Sequence, residues 1–79
     1  MIKYIIDTHA LIWYLEGNRK LGRAAKQIFD DPRSILILPL IVLAEAVFTV
    51  EKGKVKIPTV SDLFSDIAKD TRMRIRSRK

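Results

Sequence analysis

At 79 residues the chain is one small domain at most, a size that buries only a modest share of its surface. It is nevertheless 48% hydrophobic with only 3 Gly and 3 Pro, which excludes disorder and leaves apolar surface over for another chain or segment; with no Cys and one His it has neither a disulfide framework nor a Cys- or His-rich metal site. The net charge of +6 is a tail property: ten Lys/Arg stand against nine Asp/Glu over residues 1–71, and five further cations crowd residues 72–79, which reads as a polyanion contact or a solvated end.

Met1-Ile2-Lys3-Tyr4 lacks the charged region, apolar core and small-residue cleavage site of a secretion signal. The longest apolar run, Ile35 to Val50, is interrupted by Pro39 and Glu45 and falls short of the roughly 20 residues a bilayer span needs. The expectation is a soluble, cytoplasmic protein that makes no membrane contact.

Ile2 to Ile6 is short and Ile-rich and reads as a buried strand. Asp7 or Thr8 opens a helix to about Glu16, stopped by Gly17-Asn18. That helix is apolar nearly all round, which predicts burial on more than one side. Leu21, Ala24, Ala25, Ile28 and Phe29 follow i, i+3, i+4, i+7, i+8 spacing and predict a second helix with one core face. Pro32 sits in the turn that ends it. Ser34 to Leu38 reads as a second buried strand, ended by Pro39.

Leu40 to about Lys52 predicts a third helix, stopped at Gly53, with Leu40, Leu43, Ala44, Val47 and Phe48 opposite a narrow arc of Glu45, Thr49 and Lys52. After a connector at Lys54–Ile57, Thr59 caps a fourth helix with Asp62 as an imperfect capping-box partner and Val60, Leu63, Phe64 and Ile67 as the stripe. From Thr71 the residues alternate charged and apolar, the pattern of an edge strand protected by charge. Strand, two helices, strand, two helices, strand is an α/β order and predicts a parallel sheet of about three strands with helices on both faces.

Sites in such sheets form beyond the carboxyl ends of the strands. Asp7 stands there, directly after an apolar run. It either caps the helix or holds a metal ion, and a carboxylate has lone pairs for both. Glu45 is either part of a solvated stripe or a second acid, because its helix starts at the same sheet edge as Asp7. Two carboxylates suit Mg²⁺, a hard cation that keeps several waters. Thr8 can cap, or bond a ligand or water of the ion. For His9 a packed or solvated role is preferred over contact with a phosphate, and for Trp13 and Tyr14 packing is preferred over base stacking.

The segments "YIIDTHALIWYLEG", "LGRAAKQIFDD" and "ILILPLIVLAEAVFTVEKGK" together resemble the PIN-domain family, and within it the VapC-type toxin ribonucleases, over roughly residues 2 to 70. The resemblance implies a central parallel sheet and RNA hydrolysis with Mg²⁺ or Mn²⁺ held by acidic residues. Asp7 matches the first acid, Glu45 the second, and Thr8 the hydroxyl residue after the first. It also implies a small cognate antitoxin and a homo-oligomer. The family's remaining acids lie in a later half that has no counterpart here, and Asp62, Asp66 and Asp70 fall on a helix before it. Residues 1–79 are therefore expected to form a single incomplete PIN-like domain, with 72–79 a basic strand or tail whose Arg72, Arg74, Arg76, Arg78 and Lys79 are candidates for RNA contact. In the family the first strand is central, so here it is expected to be an open apolar edge covered by self-association. The implied function is a truncated VapC-like toxin with inherited, impaired RNA hydrolysis. The alternative is a non-catalytic remnant that binds an antitoxin or RNA.

Overall fold

Alternating burial along one five-residue strand organises the molecule. The computed structural model describes residues 2–77, so the tail residues Arg78 and Lys79 lie outside the described residues. Three strands, β1 (Lys3–Ile5), β2 (Ile35–Pro39) and β3 (Met73–Arg76), form a parallel sheet in the order β1-β2-β3. Four helices connect them: α1 (Thr8–Glu16), α2 (Arg23–Asp30), α3 (Leu40–Glu51) and α4 (Val60–Lys69). The α/β class and parallel sheet expected from the sequence are what the structure has.

In β2, Leu36 and Leu38 are fully buried, while Ile35 and Ile37 on the opposite face are half-buried. Tyr4 and Met73 lie level with Leu36 in the flanking strands and share its face. The core joins that face to Leu11 and Ile12 of α1, Phe29 of α2, Val42, Leu43, Ala46 and Val50 of α3, and Leu63 and Ile67 of α4. Cover is unequal. The face carrying Leu36 and Leu38 is sealed, while Ile5, Ile35 and Ile37 on the other are exposed or half-buried, so the cover expected on both faces is complete on one alone. The first strand is accordingly less buried than its composition predicts: Ile5 is 65% exposed and Ile2 62%.

Three boundaries and faces differ from expectation. Leu21 belongs to a 3-10 turn (Arg19–Leu21), not to the second helix, because Gly22 at φ 82° breaks the chain between them. The capping pair at α4 is real but altered. The Asp62 amide donates to Thr59 Oγ1 at 3.0 Å, and the short Asp62 side chain accepts from the Thr59 hydroxyl at 2.8 Å rather than reaching the Thr59 backbone. On α3 the buried residues are Val42, Leu43, Ala46 and Val50, whereas Leu40, Ala44 and Phe48, expected to pack, face outward with Ile41. The helix is apolar nearly all round, and its contacts with α1, α4 and β2 select the side that packs.

Arg72 ties the far side together. Its guanidinium donates to Asp70 Oδ2 at 2.8 Å, to Asp70 Oδ1 at 3.0 Å, to the Asp31 carbonyl at 2.8 Å and to the Phe29 carbonyl. A weaker contact runs to the Tyr14 hydroxyl at 3.4 Å, and the Tyr14 ring stacks on Phe29 with centroids 4.2 Å apart. The hydrogen-bonded guanidinium holds the Asp70 carboxyl below the usual aspartate range, against the opposing effect of burial. A depressed native pKa contributes stability that is present above the unfolded pKa of about 4 and is lost as pH falls through the native value. Asp70→Asn, which leaves a mostly buried guanidinium without its counter-charge, is expected to cost about 2 kcal/mol near neutrality. In urea titrations between pH 6 and pH 2, the variant's stability should fall less with acid than that of the parent; a parallel acid limb would remove Asp70 from the account.

Candidate functional site

Parallel pairing brings two strand ends side by side. Lys3, Tyr4 and Ile5 lie level with Ile35, Leu36 and Ile37, and the Ile6 amide continues the ladder to the Ile37 carbonyl at 2.9 Å. The chain leaves β1 at Asp7 and enters α1, and leaves β2 at Pro39 and enters α3. Thr8 is the first residue of α1 and Glu45 lies in the second turn of α3. Across 37 positions of sequence, the Thr8 hydroxyl donates to Glu45 Oε1 at 2.7 Å.

Asp7 is in the extended conformation of an N-cap, and its Oδ1 accepts from the Ala10 amide at 2.8 Å. Among the described residues Asp7 Oδ2 and Glu45 Oε2 have no hydrogen-bond donor. Each carboxylate therefore uses one oxygen to fix its own position and leaves one free. Both residues are exposed and line a cleft of about 700 Å³ with Thr8, His9, Trp13 and Phe48.

The donor set is oxygen only, which suits Mg²⁺ or Mn²⁺ and not a thiophilic metal. By donor chemistry alone, two carboxylates suit one such ion that keeps several waters. Among the described residues no group of three Asp, Glu, His or Cys side chains converges. Asp66 and Asp70 line a different hollow beside Arg72.

Of the tail cations, Arg72 is bound internally as described above. Arg74 bonds the Thr71 and Met73 carbonyls, and Arg76 the Ile75 carbonyl. None of the three lines the cleft. The cations that do line it are Lys20, Lys54 and Lys56, with Glu16 among them. From sequence, Lys54 and Lys56 read only as a connector and Lys20 carried no signal; the signal present was the alternation of Lys52, Lys54 and Lys56 around Gly53. His9 and Trp13 pack ring against ring, 5.5 Å apart and tilted by 48°.

Comparison with known families matches the family model described as PIN domain, over residues 4–76. No curated protein and no solved structure matches the chain significantly. Among the described residues no helix is long and apolar enough to cross a membrane.

The cap and the free oxygen of Asp7 are separable. Asn caps as well as Asp, so Asp7→Asn is expected to keep stability within about 0.5 kcal/mol of the parent, while Asp7→Ala loses about 1 kcal/mol. Urea denaturation of the two variants measures the difference; equal loss in both would mean that charge, not the hydrogen bond to Ala10, holds the start of α1.

Proposed function

Because the chain belongs to the PIN-domain family, whose members are divalent-metal nucleases, we propose that it is a VapC-type toxin ribonuclease that hydrolyses RNA at the cleft between α1 and α3. The observation that carries this reading is the Thr8–Glu45 hydrogen bond, which sets the second acid beside the helix start that Asp7 caps.

Asp7 Oδ2 and Glu45 Oε2 are the atoms that would hold Mg²⁺ or Mn²⁺. When bound, the ion supplies Lewis-acid charge at the scissile phosphate and activates water. The chain's own residues do the positioning. The Ala10 amide fixes the Asp7 carboxylate, and the Thr8 hydroxyl fixes that of Glu45. The positive end of α1 favours negative charge at this edge.

Two carboxylates hold a single ion weakly, so further acids join from outside these residues. The exposed apolar surface supports that reading: Ile5 on β1 with Ile2 just before it, and Ile41 (64% exposed) and Phe48 (58%) on α3, stand open to a partner. We take residues 1–79 as one PIN-like unit that works as a homo-oligomer in the cytoplasm and is restrained by a small antitoxin. The second reading is a non-catalytic unit that binds an antitoxin or RNA. It is favoured by the lack, among the described residues, of a group of three acids able to hold an ion, and it requires RNA binding that survives loss of Asp7.

RNA cleavage by the purified chain with Mg²⁺ or Mn²⁺ is expected to fall at least about 100-fold in Asp7→Asn and in Glu45→Gln, the order seen when a charge-stabilising group is lost. Cleavage that persists in both variants, or needs no metal, overturns the nuclease assignment. Sedimentation velocity should give a dimer or larger species; a well-behaved monomer at micromolar concentration would sink the shared-site arrangement.

A further inference from the structure

The cleft that holds the two acids is also lined by Lys20, Lys54 and Lys56. Two separate segments bring them there. Lys20 lies in the 3-10 turn after α1, and Lys54 and Lys56 lie in the connector between α3 and α4. Each segment follows a glycine in the left-handed region, Gly17 at φ 67° and Gly53 at φ 69°, a conformation that turns the chain sharply.

Glu16 joins the two segments. Its Oε2 accepts from the Lys56 backbone amide at 2.8 Å, and its Oε1 accepts from Asn18 Nδ2 at 3.3 Å. Asn18 Oδ1 in turn accepts from the Lys20 backbone amide at 2.9 Å. One carboxylate thus heads a hydrogen-bond chain that runs from the backbone of Lys20 to the backbone of Lys56. Glu16 is the last residue of α1, where the helix dipole disfavours a negative charge.

The lysine heads are left out of this chain. Among the described residues the ion pairs are Lys26–Asp30, Arg33–Asp31 and Arg72–Asp70, and none involves Lys20, Lys54 or Lys56. A carboxylate placed among three lysines would ordinarily pair with an ammonium. Here it bonds a backbone amide and a side-chain amide instead, so it orders the segments without neutralising them. The cleft then combines carboxylates, free ammonium groups and the His9–Trp13 ring pair, on which a base can stack.

We propose that Glu16 is a positioning residue that clips the Asn18–Lys20 and Lys54–Lys56 segments together, so that Lys20, Lys54 and Lys56 grip the backbone phosphates of single-stranded RNA beside Asp7 and Glu45. The choice of RNA rests on the nuclease reading above. The grip on phosphates rests on the lysines and their clip.

The test is anisotropy of a fluorescein-labelled single-stranded RNA with the full chain in EDTA, titrated across a range of KCl. Each of Lys20→Ala, Lys54→Ala and Lys56→Ala is expected to weaken binding and to reduce the slope of log K against log salt by about 0.7. Lys26→Ala, on α2 and paired with Asp30, should change neither. Glu16→Ala is the sharper case. Deleting a negative charge near a polyanion site should tighten binding; loss of the clip should loosen it several-fold at low salt, with the curves converging at high salt where phosphate contacts are screened. Glu16→Gln keeps one acceptor and should fall between. Binding by Glu16→Ala as tight as the parent's, or tighter, overturns the clip. An unchanged slope in the triple lysine variant, an equal loss in Lys26→Ala, or no RNA binding by the parent chain overturns the grip. Should Glu16→Ala fail to fold, Glu16→Gln and the lysine slopes decide alone. Normal lysine slopes with cleavage lost in Asp7→Asn would leave the nuclease reading standing without the clamp. A lysine-dependent grip with no metal-dependent cleavage would leave the clamp and remove the nuclease.

Discussion

The parallel pairing of β1 with β2 is the constraint on which the rest of the structure depends. Parallel strands cannot be joined by a tight turn, so a helical crossover must separate them. Both strands then end at the same edge, and each is followed by a helix that starts there. Asp7 and Glu45 are far apart in sequence, yet the register that sets Ile5 level with Ile37 delivers their helices to one place. The 2.7 Å bond from Thr8 to Glu45 is the local consequence of that register. A slip of one residue in β2 would turn Leu36 and Leu38 outward and would separate the two acids as well.

Polar side chains divide the molecule into two regions with different work. Around Arg72 a single guanidinium gathers the end of α2, the end of α4 and the ring of Tyr14 on α1. Its charge is balanced by Asp70 within the fold, and the pair is largely shielded from water. Around the cleft the opposite holds: the carboxylates of Asp7 and Glu45 keep free oxygens, and the ammonium groups of three lysines lack ion-pair partners among the described residues. Charge satisfied internally stabilises a structure, and charge left open to solvent is available to a ligand. The net charge of +6 therefore overstates what the strand-side arginines offer, since Arg72 is bound internally, and understates the cleft, whose lysines lie outside the tail.

The high hydrophobic content finds two uses. One part forms the core between the sealed face of the sheet and the four helices. The other part stays outside, on β1 and on the outer side of α3. Among the described residues β1 pairs with β2 alone, so its free edge follows from strand order and not from a shortage of apolar residues.

What the sequence by itself determined were the elements and the local chemistry at their ends. Periodicity located the strands and helices to within a residue or two, because side-chain spacing is a local property. The Asp7 cap and the Thr59–Asp62 pair were legible for the same reason: donor and acceptor lie three residues apart. Asp7 and Glu45 were nameable as a pair only through strand order and a family likeness, and the Thr8–Glu45 hydrogen bond that joins their helices was not readable at all. The tertiary structure alone decided which side of α3 packs, since a helix apolar nearly all round is consistent with several. It alone joined Glu16 to Lys56 across 40 positions and Arg72 to Phe29 across 43. Contacts of that kind leave no periodic trace in a single chain, because neither partner's neighbours are constrained by the other; only the path of the backbone brings them within reach.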